Sequence, residues 1–105
     1  MKKTIYTLLV LTMLSVYYSA FSVDDNLKII VCDVGQGDSI LIQKKTTQIL
    51  VDGGPNSKVL NCLGKYMPFW DRNIEMVINT HPESDHYLGL VDVLNNYTVD
   101  RKSVV

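Results

Sequence analysis

Cysteine and histidine are both scarce in this chain. The two cysteines, Cys32 and Cys62, form no C-x-x-C, which argues against a zinc site built from paired thiolates. Basic residues do not outnumber acidic ones: 10 Lys and Arg face 11 Asp and Glu, with no basic patch. Nothing here attracts nucleic acid by charge alone. Internal repeats, low-complexity stretches and a domain linker are missing too, so 105 residues leave room for one small domain at most. The 47% hydrophobic share is nonetheless that of a globular chain, which sets disorder aside.

The first 22 residues stand apart. Lys2-Lys3 make a positive start, Ile5 to Val16 is mostly apolar, and Ala20-Phe21-Ser22 places small residues at the −3 and −1 positions. This pattern predicts a secretory signal peptide, residues 1–22, removed before Val23. The chain is then exported, to a periplasm or beyond the cell, with no stable membrane span left. An uncleaved membrane anchor is the alternative, although the apolar stretch is short against the ~20 residues of a full span.

Beyond Val23 the pattern alternates between apolar runs and turn residues. Leu27 to Asp33 reads as a strand, apolar at nearly every position and so covered on both faces. Gly35-Gln36-Gly37-Asp38 is a tight turn, Ser39 to Gln43 a second strand, and Gln48 to Asp52 a third. A helix follows from Ser57 to about Met67, ended by Pro68. Glu75 to Thr80 is a fourth strand, and Tyr87 to about Asn95 a second helix. The predicted order is β-β-β-α-β-loop-α, an α/β chain. Each cysteine sits in an apolar run; both are expected to be buried and free, although an exported chain permits a disulfide.

The chemistry concentrates in Thr80-His81-Pro82-Glu83-Ser84-Asp85-His86. Two imidazoles and two carboxylates fall within six positions, and these are the donors a zinc-like divalent cation takes. In an extended turn His81, Glu83 and Asp85 share one side, and Pro82 favours that conformation at His81. A solvated polar loop is the alternative. Its place after a buried strand favours a site, because α/β proteins carry their chemistry at such strand ends. Asp52-Gly53-Gly54, also after an apolar strand, is either an Asx turn or a carboxylate that orients a histidine ligand. Gly35-Gln36-Gly37 completes no phosphate-binding pattern and precedes a strand, which leaves a hairpin turn.

Asp33-Val34-Gly35-Gln36-Gly37-Asp38-Ser39, Asp52-Gly53-Gly54 and Thr80 to His86, in that order, resemble the metallo-β-lactamase fold. More narrowly they resemble the ComEC-type hydrolase domain of DNA-uptake competence proteins and its secreted relatives. The resemblance covers about Leu27 to Leu94. It implies an αββα sandwich with one or two metal ions, usually zinc, at one edge of the sheets. Glu83 stands where the family's H-x-H-x-D-H motif has its second histidine, a more oxygen-rich set that also admits manganese or magnesium. By the resemblance His81 and Glu83 bind a first metal, Asp85 and His86 a second, Asp85 acts in catalysis by orienting the attacking water, and Asp52 stands behind them. Where the branch continues D-H-x-G-G, Leu88 replaces the first glycine.

The family also needs a further histidine, a bridging aspartate and a last histidine downstream, yet His81 and His86 are the only histidines here. The resemblance therefore covers only the first half of the sandwich, residues 23–99, and this chain alone is expected to be inactive. Residues 100–105 can be encoded by the start of a common sequencing adapter and are expected to be foreign to the domain; a natural tail is the alternative. Three functions fit: an exported hydrolase of phosphodiesters or nucleic acid, an exported hydrolase of small esters, amides or lactones, or a non-catalytic remnant that binds metal or a partner.

Overall fold

The computed structural model describes residues 1–104. The apolar N-terminal segment forms α1, Lys2–Phe21, which has no buried residue and projects from the rest of the molecule. Three short strands follow: β1, Lys28–Val31; β2, Ile40–Lys44; and β3, Thr47–Val51. Each runs antiparallel to the one before, as short connections require. Helix α2, Lys58–Tyr66, carries the chain back so that β4, Asn73–Asn79, lies parallel to β3. Helix α3, Ser84–Asn96, does the same for β5, Thr98–Val104. A parallel neighbour needs such a crossover, and the two helices supply it. The sheet has the order β1-β2-β3-β4-β5.

Both crossover helices contribute to one core. Leu41, Leu50 and Val77 from the sheet meet Val59, Cys62 and Leu63 of α2 and Leu90 and Val93 of α3. Leu41, Leu50 and Leu63 are fully buried, and burial of each such side chain contributes about 1.5–3 kcal/mol. The alternate positions point to the opposite face. Cross-strand register aligns Ile29, Ile42, Ile49 and Met76 in one row there, and Val31, Ile40, Val51 and Ile78 in another. None of these eight belongs to the buried core.

Four features differ from the sequence reading. Strand β1 is not covered on both faces: it is an edge strand, and Ile29 and Val31 are 68% and 74% exposed. An unbroken apolar run cannot by itself tell an edge strand, whose outward residues face an open sheet surface, from an interior one. Cys32 and Cys62 are not free thiols but a disulfide. The end of β1 packs on α2, which brings their Cα atoms to 5.6 Å, within the range a disulfide spans. An apolar neighbourhood reads the same for a buried thiol and a buried disulfide, so only the tertiary pairing distinguishes them.

The other two lie near the C-terminus. Helix α3 begins at Ser84 rather than Tyr87, because the Glu83 carbonyl already accepts from the amides of His86 and Tyr87. Residues after Asn96 form β5, a strand not foreseen, which pairs with β4 from Asn73↔Thr98 to Asn79↔Val104. Its start is fixed by Arg72, whose carbonyl accepts from Thr98 N and whose guanidinium stacks 4.0 Å over Tyr97. Residues 100–104 of the tail set apart above thus lie in β5, while Val105 falls outside the described residues.

Candidate metal centre

The ends of β3 and β4 lie side by side, and the candidate residues gather there. The parallel register pairs Val51 with Ile78, and Asp52 N extends the ladder to the Ile78 carbonyl at 2.8 Å. At Asp52 the backbone turns left-handed, with φ 60°. Aspartate tolerates that region better than most residues, though still at a cost of order 1 kcal/mol. The turn sends the Asp52 side chain, only 3% exposed as a residue, up against the end of β4.

Asp52 is fully engaged there. Oδ1 accepts from Thr80 N at 2.8 Å, and Oδ2 accepts from Thr80 Oγ1 and lies 3.0 Å from His86 Nδ1. Burial pushes the Asp52 carboxyl up, but the hydrogen bonds from Thr80 and His86 outweigh it and hold it below the usual carboxylate range. A carboxylate at His86 Nδ1 makes that nitrogen the donor and leaves Nε2 with its lone pair free. The hydrogen bond to Asp52 also raises the His86 pKa above its ordinary value, against the opposing effect of burial.

His81 is fixed in a similar way. Its Nδ1 lies 3.0 Å from Thr80 Oγ1, whose own proton is committed to Asp52. The hydroxyl must therefore accept, so His81 Nδ1 donates and Nε2 is again the free atom. The two rings stand with centroids 4.9 Å apart. Thr80 links both histidines to one carboxylate, a role the sequence reading did not give it; the available signal was a hydroxyl directly before the first histidine.

Asp85 and His86 occupy the first turn of α3 rather than an extended loop. Asp85 Oδ1 lies 3.8 Å from His86 Nε2. That is too long for a hydrogen bond and close to the separation of two donor atoms that each sit ~2.1 Å from one cation. Glu83 is the residue before the helix, exposed, and among the described residues its carboxylate makes no hydrogen bond or ion pair with the other three. Among the described residues, no group of three or more His, Cys, Asp or Glu side chains converges to hold a metal ion. The structure thus links His81, His86, Asp85 and Asp52 only pairwise, through Thr80, the facing rings and the Asp52–His86 pair, and leaves Glu83 outside those links.

Close backbone packing sets the helix start against the sheet. Gly53 N donates to the His86 carbonyl at 2.7 Å, and Gly89 N to the Gly54 carbonyl at 2.9 Å. A Cβ on Gly89 would lie 1.8 Å from the Gly53 carbonyl oxygen, and one on Gly37 2.0 Å from the Asp85 carbonyl oxygen. The Gly35–Asp38 turn is therefore more than a hairpin link: it is a wall against the backbone of Asp85. Leu88, by contrast, is exposed, so the glycine it replaces is not needed for the approach.

The fold has a counterpart among known proteins. The family model of the metallo-beta-lactamase superfamily matches residues 32–103. The chain belongs to the metallo-beta-lactamase superfamily. A solved structure described as "Peroxy diiron species of chemotaxis sensor ODP" is similar in fold, with a TM-score of 0.56 and 21% identity. The match covers 79% of this chain and 35% of that one, so the chain spans about a third of the length of the structure it matches. No curated protein matches it. The sheet and helices described above are consistent with part of a metallo-beta-lactamase fold, and membership implies divalent metal binding. The donors fit such a cation in kind: two imidazoles with Nε2 free and a carboxylate beside one of them. In number they form one side of a site.

Proposed function

We propose that this chain supplies the first half of an exported, metal-dependent hydrolase of the ComEC-like branch, acting on phosphodiesters or nucleic acid. The reading rests on the Asp52–His86 pair. A buried carboxylate on Nδ1 is the usual means of aiming a histidine at a metal, and an Asx turn without that role has no need of a histidine. His81, Glu83, Asp85 and His86 are the donors offered to one or two divalent cations, with zinc first and manganese or magnesium as substitutes. When bound, such a cation supplies Lewis acidity, polarising a phosphoryl or acyl oxygen and making water more acidic.

The residues of the chain do the positioning. Asp52 holds His86 by Nδ1 and, through Thr80, holds His81 in the matching tautomer. Asp85, on the first turn of α3, is the carboxylate that orients the attacking water. Its backbone is clamped by Gly37 on one side, while the next residue, His86, is tied to Gly53. The ComEC-like assignment is supported by Asp33 to Ser39, whose turn forms the wall against Asp85. The remaining ligands, and the sheet that covers the row Ile29, Ile42, Ile49 and Met76, belong to the second half of the sandwich. The test is hydrolysis of bis(p-nitrophenyl) phosphate by the whole protein, with zinc and with manganese. Asp85→Ala should remove the activity, and an unchanged rate would show that this loop is not the active site.

A further inference from the structure

Helix α1 and the domain meet at a cluster of aromatic rings. Tyr17 and Phe21 stack within the helix at 4.8 Å between centroids. Phe21 then contacts Phe69 at 6.0 Å and Trp70 at 5.9 Å, both in the connection between α2 and β4. The Trp70 indole N–H donates to the Ala20 carbonyl at 3.3 Å. Phe69 remains 73% exposed despite these contacts, and Tyr18 76%. With Tyr17, Tyr18 and Phe21, Phe69 makes one exposed aromatic patch, and a contiguous apolar patch of this kind marks a surface that meets a partner or a membrane.

The geometry of α1 identifies that partner. Its 20 residues rise about 30 Å, the thickness of a bilayer's hydrocarbon core. The helix carries no acidic residue, and its only charges, Lys2 and Lys3, lie at the start, the arrangement that keeps an N-terminus cytoplasmic. Placed in a bilayer, α1 puts Tyr17, Tyr18 and Phe21 at the outer boundary, where aromatic rings concentrate. Phe69 and Trp70 touch that same turn and so come to the same level. The nearby charges suit a lipid surface: Lys65 lies just before the connection, while Asp24 and Asp25 are paired with Lys28 at 2.9 Å and Lys45 at 3.6 Å. The segment a signal peptidase would have to read is also engaged. Helix α1 continues through Ala20 and Phe21, and Trp70 holds the Ala20 carbonyl, so of the three residues before the predicted cut only Ser22 is extended.

We propose that α1 stays on the mature protein as a single membrane span, and that the Pro68–Trp70 connection rests beside its last turn in the outer lipid interface. The domain is thereby held against the membrane by two contacts rather than by a free tether. Because Trp70 is the sole tryptophan, its emission reports the position directly. The full chain, with its own N-terminus, is reconstituted in phosphatidylcholine–phosphatidylglycerol vesicles containing lipids brominated either near the headgroup or near the chain end. Trp70 emission should shift to shorter wavelength relative to detergent-free buffer, and should lose more intensity to the shallow bromines than to the deep ones. Phe69→Ser should weaken both effects while α1 keeps the protein in the membrane fraction. In cells the protein should resist alkaline extraction, and mass spectrometry should find residues 1–22 still attached. A mature N-terminus at Val23, or Trp70 emission indifferent to both lipids, would overturn the proposal. The second outcome would assign the exposed rings to a protein partner instead.

Discussion

Asp52 and His86 lie 34 residues apart in sequence and 3.0 Å apart in the fold, carboxylate Oδ2 against imidazole Nδ1. Neither residue could reach the other without the α2 crossover that lies between them. The parallel pairing of β3 with β4 sets Asp52 beside Thr80, and the packing of α3 over Gly53 swings the first helical turn back over that carboxylate. The pair is therefore a product of topology, and its integrity reports on the β3–β4 pairing and on the seat of the first turn of α3 together.

The first prediction follows from that pair. Asp52→Asn keeps the shape of the side chain but lets the amide offer a hydrogen where the carboxylate only accepts, so Nδ1 and Nε2 of His86 exchange their preferred roles. Metal affinity of the whole protein should fall by about 10–100-fold. Isothermal titration with zinc measures it; affinity within twofold of the unsubstituted protein would mean that His86 is aimed by something else.

A second prediction concerns the glycine contact under the helix start. In Gly89→Ala the new methyl would meet the Gly53 carbonyl at 1.8 Å, and both partners are backbone, so α3 must shift. Overpacking of this kind costs about 1–3 kcal/mol, read as a lower urea midpoint. Gly64→Ala is the control, since nothing lies within 4 Å of a Cβ there; in a helix interior that change should leave stability equal or raise it by up to ~1 kcal/mol. Equal losses at both positions would contradict the close approach.

The disulfide gives a third. Cys32 and Cys62 close a loop of 30 residues, for which chain entropy in the unfolded state predicts about 3–4 kcal/mol of stabilisation. For a domain this small that is a large share of the total. Replacing both residues by serine should lower the urea midpoint accordingly, and a quantitative thiol assay on the denatured, unreduced chain should find no free thiol. Two free thiols in protein recovered from an oxidising compartment would show that the bridge does not form.

How much of this was legible in the sequence can be traced residue by residue. Strands β2 and β3 and helix α2 carry local signals: the apolar runs Ile40 to Ile42 and Ile49 to Val51, turn residues at Lys45 and Thr46, and Pro68 after the helix. Asp52 and the pair Asp85–His86 were legible because donor residues clustered at strand ends. Strand β5 was not, since Thr98 to Val104 is mostly polar and exposed, with only Val99 half-buried; the ladder with β4 makes it a strand. The disulfide was not legible either, because bringing Cys32 to Cys62 depends on how β1 meets α2. Glu83 illustrates the opposite case. Spacing alone groups it with His81 and Asp85, but once Ser84 starts a helix, the alternation that united the three no longer holds.

The fourth prediction separates Glu83 from the residues that are linked to one another. His81 and His86 present free Nε2 atoms with rings 4.9 Å apart, and Asp85 lies 3.8 Å from one of them, whereas Glu83 is exposed and its carboxylate makes no hydrogen bond or ion pair with these three. If a first cation depends chiefly on these linked groups, the substitutions should rank in that order. His86→Ala should lose the most zinc affinity, because it removes a ligand and also takes from the buried Asp52 carboxylate one of the three hydrogen bonds it accepts, a further cost of about 1–3 kcal/mol in stability. His81→Ala should lose less stability, since Thr80 keeps its bond to Asp52 without the ring. Glu83→Gln should change zinc affinity little, yet lower the preference for manganese, which gains most from a carboxylate oxygen. Competition between zinc and manganese in the whole protein, measured for the three variants beside their urea midpoints, checks the ranking. A loss of zinc affinity in Glu83→Gln as large as in His86→Ala would show that Glu83 turns in toward the metal and is an equal ligand.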